Sequence, residues 1–471
     1  MSYQLVCGIE THIELATKTK IFCSCTTQFG GEPNTHCCPV CTGQPGALPV
    51  LNRQVIAYAV RAGLAVHCKI NNNSHMDRKN YVYPDLPKAY QISQFDEPVC
   101  VDGYVELDSG KKIRIERIHI EEDAGKLIHE DGYTYVDYNR GGVPLIEIVS
   151  QADIESPEEA KEYAEKLQLI MRNVGVSDCK MQEGSMRCDV NVSIHQPGEP
   201  WGTRTEIKNI NSLSNIVRAM ELEMERQEDL IESGEKVIQS TMRYDANSDT
   251  VYVLRSKENA DDYRYFPEPD ILRFYISPES VEQIRASLPE LPDAKLKRYV
   301  EDMKLPENNA RLIYKYRNVT EFFDEAVNDG ASASNVLNLI IGTIYATLQT
   351  EEEKENFEIK TTAKQMAELV KLIDDKKIRA NKAKEVLSQM LESGKGVGEY
   401  IKADDLKGMS DEDLLALCKG AVEANPKAVE DIKNGKEKAI NVMFGYVMKN
   451  SKGKADVGKA TQIIKQIISE M

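Results

Sequence analysis

The segment at residues 5–15 places ionisable side chains at every second position. Its sequence, LVCGIETHIEL, alternates apolar and polar residues as a half-buried β-strand does. Successive side chains of a strand point to opposite faces, so Glu10, His12 and Glu14 share one face. Two carboxylates and an imidazole on one face can bind a cation. The alternative is a solvated strand face that carries charge and binds nothing.

A second group of charged residues lies in the segment HIEED at residues 119–123. The consecutive acids Glu121, Glu122 and Asp123 repel one another unless a cation or a basic group neutralises them. One imidazole with several carboxylates is a hard, oxygen-rich ligand set, which suits Mg²⁺ or Mn²⁺ better than Zn²⁺. Taken alone, the segment is equally typical of a polar loop.

Cationic side chains alternate with tyrosines in the segment DRKNYVYPD at residues 77–85. Arg78 and Lys79 can bind phosphates, and tyrosines can stack on a base or a ribose. The sequence has neither a GxxxxGK[ST] loop nor a GxGxxG turn after a strand, so those devices do not hold a nucleotide. A bound Mg²⁺ facing Lys79 and Arg78 describes a phosphoryl-transfer site.

Two later segments, 186–194 and 203–209, repeat the alternation of the first strand. Arg187, Asp189 and Asn191 share a face of the first segment, and Glu206 and Lys208 share a face of the second. A single polar sheet face is usually solvated. Three strands with acids, bases and amides on one face indicate the floor of a polar cavity.

Paired cysteines form a separate motif near the amino terminus. Cys23 and Cys25 are followed, after 12 residues, by Cys38 and Cys41. Two close thiolate pairs suit tetrahedral Zn²⁺, and four thiolates leave no open position, so this zinc is predicted to be structural. Cys37 is an adjacent alternative ligand. The competing interpretation is a set of buried thiols.

Composition limits the class of protein. The chain has 471 residues and a net charge of −17, which argues against a general nucleic-acid binder, but residues 425–471 hold nine lysines against five acids. Such a basic end indicates an anionic partner or an ordinary solvated surface. No signal peptide or membrane-spanning stretch is visible, so we expect a cytoplasmic protein without membrane association. Its eleven cysteines are then thiols or metal ligands.

The charged strands belong to a predicted mixed α and β region, residues 1–290. Strand-like segments recur at 112–120, 133–138, 143–149, 186–194 and 203–209, with helices predicted from Ser156-Pro157 and from about residue 213. Pro289 and Pro292 interrupt regular structure. Beyond them the strand pattern ends, and residues 291–400 and 401–471 predict an all-helical domain and a small helical tail.

Long motifs identify a resemblance that covers essentially the whole chain. It is similar to the B subunit of the aspartyl/glutamyl-tRNA amidotransferases, on the segments GIETHIEL, PNTHCCPVCTGQPGALPVLN, DRKNYVYPDLPKAYQISQ, HIEEDAGK, DDYRYFPEPD, NPKAVEDIKNGKEKA and VMKNSKGKA. The resemblance implies an α+β fold. An antiparallel-sheet cradle domain would be followed by an all-helical domain and a small tail domain similar to the YqeY proteins, which would bind tRNA.

The resemblance also implies an activity. The chain would use ATP to phosphorylate the side-chain carboxylate of Glu-tRNA(Gln) or Asp-tRNA(Asn). Ammonia, channelled from an amidase (glutaminase) subunit, would then displace phosphate to give Gln-tRNA(Gln) or Asn-tRNA(Asn). A small third subunit would complete a heterotrimer. Which of the two tRNAs is the substrate is left open.

The implied site residues can be named position by position. The active-site Mg²⁺ ligands map onto Glu10, His12 and Glu122, with Glu121 and Asp189 as additional candidates. Lys79 is assigned to the ATP phosphates and, with Glu10, His12 and Glu122, to catalysis. Arg78, Asp189 and Glu206 are predicted to contribute to cofactor binding. Zinc is assigned to Cys23, Cys25, Cys38 and Cys41.

Two rival functions remain. One is a non-catalytic, zinc-stabilised scaffold that binds tRNA while a partner does the chemistry. The other is a zinc hydrolase, which the coordinatively closed thiol cluster disfavours.

Overall fold

The computed structural model describes residues 3–256, 263–401, 411–433, 436, 439–451, 455 and 457–470. The chain divides into two compact units, Met1–Lys295 and Leu296–Met471. Residues 402–410, at the predicted start of the tail, lie outside the described residues, as do Asp261 and Asp262 of the motif DDYRYFPEPD.

Strands dominate the first unit. They are β1 (Gln4–Glu14), β2 (Lys69–Ile70), β3 (Asn73–Ser74), β4 (Asp77–Asn80), β5 (Tyr90–Ser93), β6 (Cys100–Glu106), β7 (Lys112–Glu122), β8 (Lys126–Glu130), β9 (Tyr133–Asp137), β10 (Pro144–Ser150), β11 (Met186–His195), β12 (Thr205–Ile210), β13 (Ser240–Asp245), β14 (Thr250–Ser256), β15 (Phe266–Pro267) and β16 (Phe274–Tyr275). The strands β6, β13 and β14 have no counterpart among the segments predicted from the sequence.

Nine of the described strands form one sheet in the order β14-β13-β12-β11-β1-β10-β7-β6-β2. Neighbours pair antiparallel except β12 and β13, which are parallel. The amino-terminal strand β1 lies in the middle, between β10 and β11. Three shorter sheets accompany it: β15-β4-β5, β16-β3 and β8-β9. The predicted antiparallel-sheet domain is thereby confirmed.

Helices cover one face of the large sheet. They are α1 (Arg53–Ala65), α2 (Pro157–Asn173) and α3 (Leu213–Glu232), and α4 (Pro278–Ala286) packs on α1. The predicted start of α2 is confirmed, because Ser156 Oγ accepts a hydrogen bond from the Glu159 amide at 3.1 Å and Pro157 begins the helix. The apolar sides of β1, β7, β10 and β11 pack beneath these helices in one buried core.

The opposite face of the sheet carries the polar alternation. Odd-numbered residues of β1, such as Ile9 and Ile13, are buried in the core, whereas Glu10 and His12 face the other side. The three-stranded sheet β15-β4-β5 is joined to the end of β7, where Gln91 Nε2 donates to the Glu122 carbonyl at 2.7 Å. This contact brings the DRKN segment of β4 to the polar face.

Helices and helical turns are the only regular elements in the described residues of the second unit. Its helices are Glu307–Ile313, Arg317–Asn328, Ala333–Leu339, Tyr345–Thr347, Glu351–Asn356, Ala363–Asp374, Ala380–Ser393, Asp411–Glu423, Pro426–Lys433, Ile440–Asn450 and Val457–Glu470; the segment Pro292–Lys297 precedes them, π-helical turns lie at Arg298–Asp302 and Ile340–Ile344, and a 3₁₀ turn lies at Val397–Glu399. Its buried apolar residues form two clusters, one within residues 296–401 and one within residues 414–468. Among the described residues, no helix has the length and apolarity needed to cross a bilayer.

Ile118 provides a test of the packing between the large sheet and the helices that cover it. It is fully buried in β7 between Cys100 of β6 and Ile148 of β10. We expect Ile118→Ala to lower the free energy of unfolding by about 2–5 kcal/mol, because it leaves a cavity in a close-packed core. The measurement is the midpoint of urea unfolding by circular dichroism. Ile238→Ala, at a position that is 64% exposed, is the control and should change the free energy of unfolding by less than about 0.5 kcal/mol. Equal effects would contradict the packing described.

Candidate active site

A histidine–carboxylate group lies at the centre of the polar face, and we call it the histidine group: His12, His119, Glu121 and Glu147. His12 Nε2 lies 3.3 Å from Glu121 Oε1 and 3.5 Å from Glu147 Oε2. His119 Nε2 lies 3.1 Å from Glu147 Oε2. Strand register produces the group, because Glu147 of β10 pairs with His12 of β1 on one side and with His119 of β7 on the other.

The carboxylates of the histidine group are held in their ionised form. Burial opposes ionisation, but the two imidazoles lower the pKa of Glu121 to about 2 and hold that of Glu147 well below its usual range. Burial likewise disfavours charged imidazoles, yet the two carboxylates raise the pKa of His119 to about 9 and that of His12 well above its ordinary value. A divalent cation could neutralise the same carboxylates in place of the protonated imidazoles.

Three acids form a neighbouring cluster, the acidic group: Glu10, Asp189 and Glu206. Glu10 pairs with Asp189 across β1 and β11, and Glu206 of β12 pairs with Asn191 of β11. Oxygen atoms of the three carboxylates lie within 4.8 Å of one another. Asn191 Nδ2 donates to Glu10 Oε1 at 3.1 Å.

Repulsion within the acidic group is only partly compensated. Burial raises the pKa of Glu10, and the negative charges of Glu147, Glu206 and Asp189 raise it further. Lys208 Nζ lies 2.5 Å from Asp189 Oδ2 and 2.7 Å from Glu206 Oε1. Burial lowers the pKa of Lys208, but these two carboxylates outweigh it and raise the pKa. A cation at Glu10 would remove the remaining repulsion.

Lys79 of β4 faces the histidine group across a cavity of about 460 Å³. His12, Glu121, Asp189 and Lys208 also line this cavity, which we call the central cavity. Lys79 Nζ stands 4.9 Å from the ring centre of Tyr263. Burial lowers its pKa, but Glu121 and Glu147 reverse the effect and raise the pKa above its usual value, so the side chain is a cation in the cavity.

Arg78, the neighbour of Lys79, is directed elsewhere. Its Nε donates to Glu268 Oε2 at 2.6 Å, and its guanidinium stacks on Tyr90 at 4.2 Å from the ring centre. It is not among the residues that line the central cavity. Because adjacent residues of β4 point to opposite sides, Lys79 faces the central cavity and Arg78 does not.

Glu122 lies apart from the other predicted metal ligands. It lies on the opposite side of β7 from Glu121, where its carboxylate pairs with Lys88 Nζ at 2.9 Å and accepts from the Ile92 amide at 2.9 Å. It therefore does not join His12. The prediction ended the strand at residue 120, but β7 continues to Glu122, so strand alternation separates the two glutamates.

Two members of the histidine group, His119 and Glu147, were not predicted as site residues. Glu147 had a usable signal, since it is the only charged residue in the fully buried strand β10. Glu14, for which the sequence offers no partner, lies outside both groups. Burial and the Asp123 carboxylate raise its pKa to about 8, against the lowering effect of Arg187.

The cysteine motif forms a separate cluster that could hold a metal ion. The sulfur atoms of Cys23, Cys25, Cys38 and Cys41 lie within 4.8 Å of one another. The Cys38 amide donates to Cys41 Sγ at 3.1 Å, and Lys20 Nζ lies 3.6 Å from the same sulfur. Hydrogen bonding from Cys23 is the main cause that lowers the pKa of Cys41 to about 4. Four converging sulfurs with a stabilised thiolate fit a closed Zn²⁺ site.

Cys37 does not share this arrangement. Its Sγ is directed to Asn139 Oδ1 at 3.8 Å. The structure thus distinguishes two adjacent cysteines that the sequence left as alternatives.

Comparisons with known proteins agree with the architecture. Residues 5–282 match the family described as the GatB/GatE catalytic domain, and residues 321–468 match the GatB domain. The sheet unit with its polar cavity is therefore the catalytic domain of an amidotransferase component.

Full-length relatives define the particular family. The proteins named as the B subunits of aspartyl/glutamyl-tRNA(Asn/Gln) amidotransferase in Caldicellulosiruptor saccharolyticus and Thermoanaerobacter pseudethanolicus are 47% and 49% identical over 481 and 477 residues. Each alignment covers 100% of both chains. The protein of the same name from Lachnoclostridium phytofermentans is 48% identical and covers 99% of each chain. The chain belongs to this family of amidotransferase B subunits, and partner subunits are implied.

The zinc assignment can be tested with two adjacent cysteines. We expect Cys38→Ser to lower the zinc bound per chain, because it removes one of four converging sulfurs. Cys37→Ser is the matched control and should retain full zinc, measured by atomic absorption on the purified protein. Loss of zinc in the Cys37 variant with retention in the Cys38 variant would reverse the assignment.

Proposed function

We propose that this chain activates the side-chain carboxylate of Glu-tRNA(Gln) or Asp-tRNA(Asn) with ATP. A carboxylate oxygen would attack the γ-phosphorus, and ADP would leave. Ammonia would then form the amide bond at the acyl carbon and release phosphate. The observation that carries the proposal is one cavity lined by Lys79, by His12 and Glu121 of the histidine group, and by Asp189 of the acidic group.

Residues of the histidine group, the acidic group and the central cavity have separate roles in this proposal. His12, Glu121 and Glu147 would hold one Mg²⁺, and Glu10, Asp189 and Glu206 a second. Bound Mg²⁺ would supply neutralisation of phosphate charge. Lys79 would bind the transferred phosphate, and its strand is positioned because Lys79 pairs with Gln91 of β5, whose side chain is bonded to β7. Lys208 would keep Asp189 and Glu206 oriented.

The proposed reaction also requires partner subunits and a tRNA-binding region. The sequence carries no GxSxG nucleophile motif, which supports an amidase partner that hydrolyses glutamine and a small third subunit. The helical tail, with its excess of lysines after Asn425, would bind the tRNA. An aminoacyl-tRNA substrate implies a cytoplasmic location.

Alanine variants of the two groups test the activation step. In the assembled enzyme, Glu10→Ala and His12→Ala should lower the rate of Gln-tRNA(Gln) or Asn-tRNA(Asn) formation about 100-fold or more, since charge stabilisation is the main source of acceleration. Glutamine hydrolysis by the partner should persist in part. The readouts are labelled aminoacyl-tRNA and ammonia release.

Glu106→Ala, at an exposed position of β6, is the control for that experiment. Normal amidation by the Glu10 or His12 variant would refute the assignment. Failure of the wild-type chain to release ADP with misacylated tRNA would favour the scaffold function instead.

Adjacent glutamates give a sharper test of the metal ligands. Glu121→Gln should raise the Mg²⁺ concentration needed for half-maximal amidation about tenfold. The substitution removes one carboxylate from the ligand set that Glu121 forms with His12 and Glu147. Glu122→Gln breaks the pair with Lys88 but should leave that concentration unchanged, whatever it does to the maximal rate. The opposite pattern in a Mg²⁺ titration would return Glu122 to the ligand set.

A further inference from the structure

The side-chain amide of Gln94 joins two strands that carry residues on facing sides of the central cavity. Its Oε1 accepts a hydrogen bond from the Ile120 amide at 2.9 Å. Its Nε2 donates to Ser74 Oγ at 2.6 Å and to the His75 carbonyl at 2.9 Å. One side chain therefore connects β7 with the segment that leads into β4.

The orientation of this amide is fixed by its neighbours. A backbone N–H group can only donate and a carbonyl oxygen can only accept. Exchanging the oxygen and nitrogen of Gln94 would set two donors against each other at Ile120 and two acceptors at His75. The side chain is 2% exposed, so an apolar residue here would remove these partners from groups in a buried place.

On β7, Gln94 binds between two members of the histidine group. Ile120 lies between His119 and Glu121 in the sequence. The pairing of β6 with β7 starts at Ile118, so the Ile120 amide lies beyond the end of that pairing. The glutamine side chain takes the place that a further residue of β6 would have, and it satisfies the amide there.

On the other side, Gln94 holds the segment that precedes Lys79. His75 lies just before β4, and Asp77 is the first residue of that strand. Asp77 Oδ2 accepts from the amide of Phe95, the residue after Gln94, at 2.8 Å, and its Oδ1 lies 3.0 Å from His75 Nε2. The start of β4 is therefore held to Gln94 and to its neighbour at two points.

A second glutamine attaches the same small sheet to β7 at a different residue. Gln91 of β5 donates to the Glu122 carbonyl at 2.7 Å, and the Ile92 amide donates to Glu122 Oε1 at 2.9 Å. Attachment at a single residue of β7 would leave a rotation about that residue. Gln94 adds an attachment at Ile120, which restrains this rotation.

We propose that Gln94 is a positioning residue that sets the distance between the Lys79 ammonium and the histidine group. This inference rests on the proposed function, in which Lys79 binds the transferred phosphate and the histidine group holds Mg²⁺. A displacement of about 1 Å in such a site can lower a rate about 100-fold, because the transition state is stabilised by groups already in place. An amide suits the task, since it brings no further charge to a region rich in carboxylates.

A double-mutant cycle in the assembled enzyme tests this role. Gln94→Met keeps the approximate size of the side chain but removes its hydrogen bonds, and it should lower the maximal rate of ADP release with misacylated tRNA about tenfold. In a Lys79→Ala background the same substitution should lower the rate less than about twofold, because the group that Gln94 positions is absent. Single-turnover measurements follow the slow variants. An equal loss in both backgrounds, or no loss in either, would overturn the proposal.

Gln227→Met is the matched control for the cycle. Gln227 is another buried glutamine, 1% exposed, and lies on α3 at the other face of the sheet. Its Oε1 accepts from the Ile194 amide at 3.3 Å and its Nε2 donates to Thr205 Oγ1 at 2.9 Å. A rate loss in this variant should be the same with and without Lys79, since it would arise from lost packing alone.

Gln94→Asn is the second variant if the methionine protein does not fold. It keeps the amide, but a side chain shorter by one methylene cannot reach Ile120 and His75 together, so the same dependence on Lys79 is expected. Equal losses in the two backgrounds refute the inference and leave the proposed function standing. Normal amidation by Lys79→Ala alone would refute the phosphate role of Lys79 in the proposed function, and the inference with it.

Discussion

The register of β1 between β10 and β11 is the constraint on which the rest of the site depends. Antiparallel pairing places His12 opposite Glu147 on one side and Glu10 opposite Asp189 on the other. A shift of β1 by one residue would turn Glu10 and His12 into the core and bring Ile9 and Ile13 to the polar face. Burial of the apolar side under α1, α2 and α3 therefore holds the chemistry of the opposite side in place.

The carboxylates concentrated on that face need neutralising groups, and these differ between the histidine group and the acidic group. In the histidine group, imidazoles neutralise the carboxylates and hold their pKa values low. In the acidic group, Lys208 pairs with two of the three acids, while the pKa of Glu10 stays raised. The two neighbouring groups therefore differ in charge. This arrangement suits a polyanion that binds together with its cations, because such a ligand needs positive charge at several points rather than at one.

Much of the fold could be predicted because strand alternation and helix caps are local signals. The polar faces of β1 and β11 and the start of α2 at Pro157 follow from neighbouring residues alone. The central placement of β1 could not be predicted in that way, since pairing partners lie more than 100 residues away along the chain. The side of β7 on which Glu122 lies could not be predicted either, because it depends on where β7 ends.

The sequence by itself determined the family, the polar strand faces and the cysteine motif, since each depends on residue types at short spacing. Only the tertiary structure decided which of these residues meet. It joined His119 and Glu147 to His12, separated Arg78 from Lys79, and selected Cys38 over Cys37. The physical reason is that alternation gives a side chain its face, whereas strand register and the packing of β4 and β5 against β7 give it its neighbours.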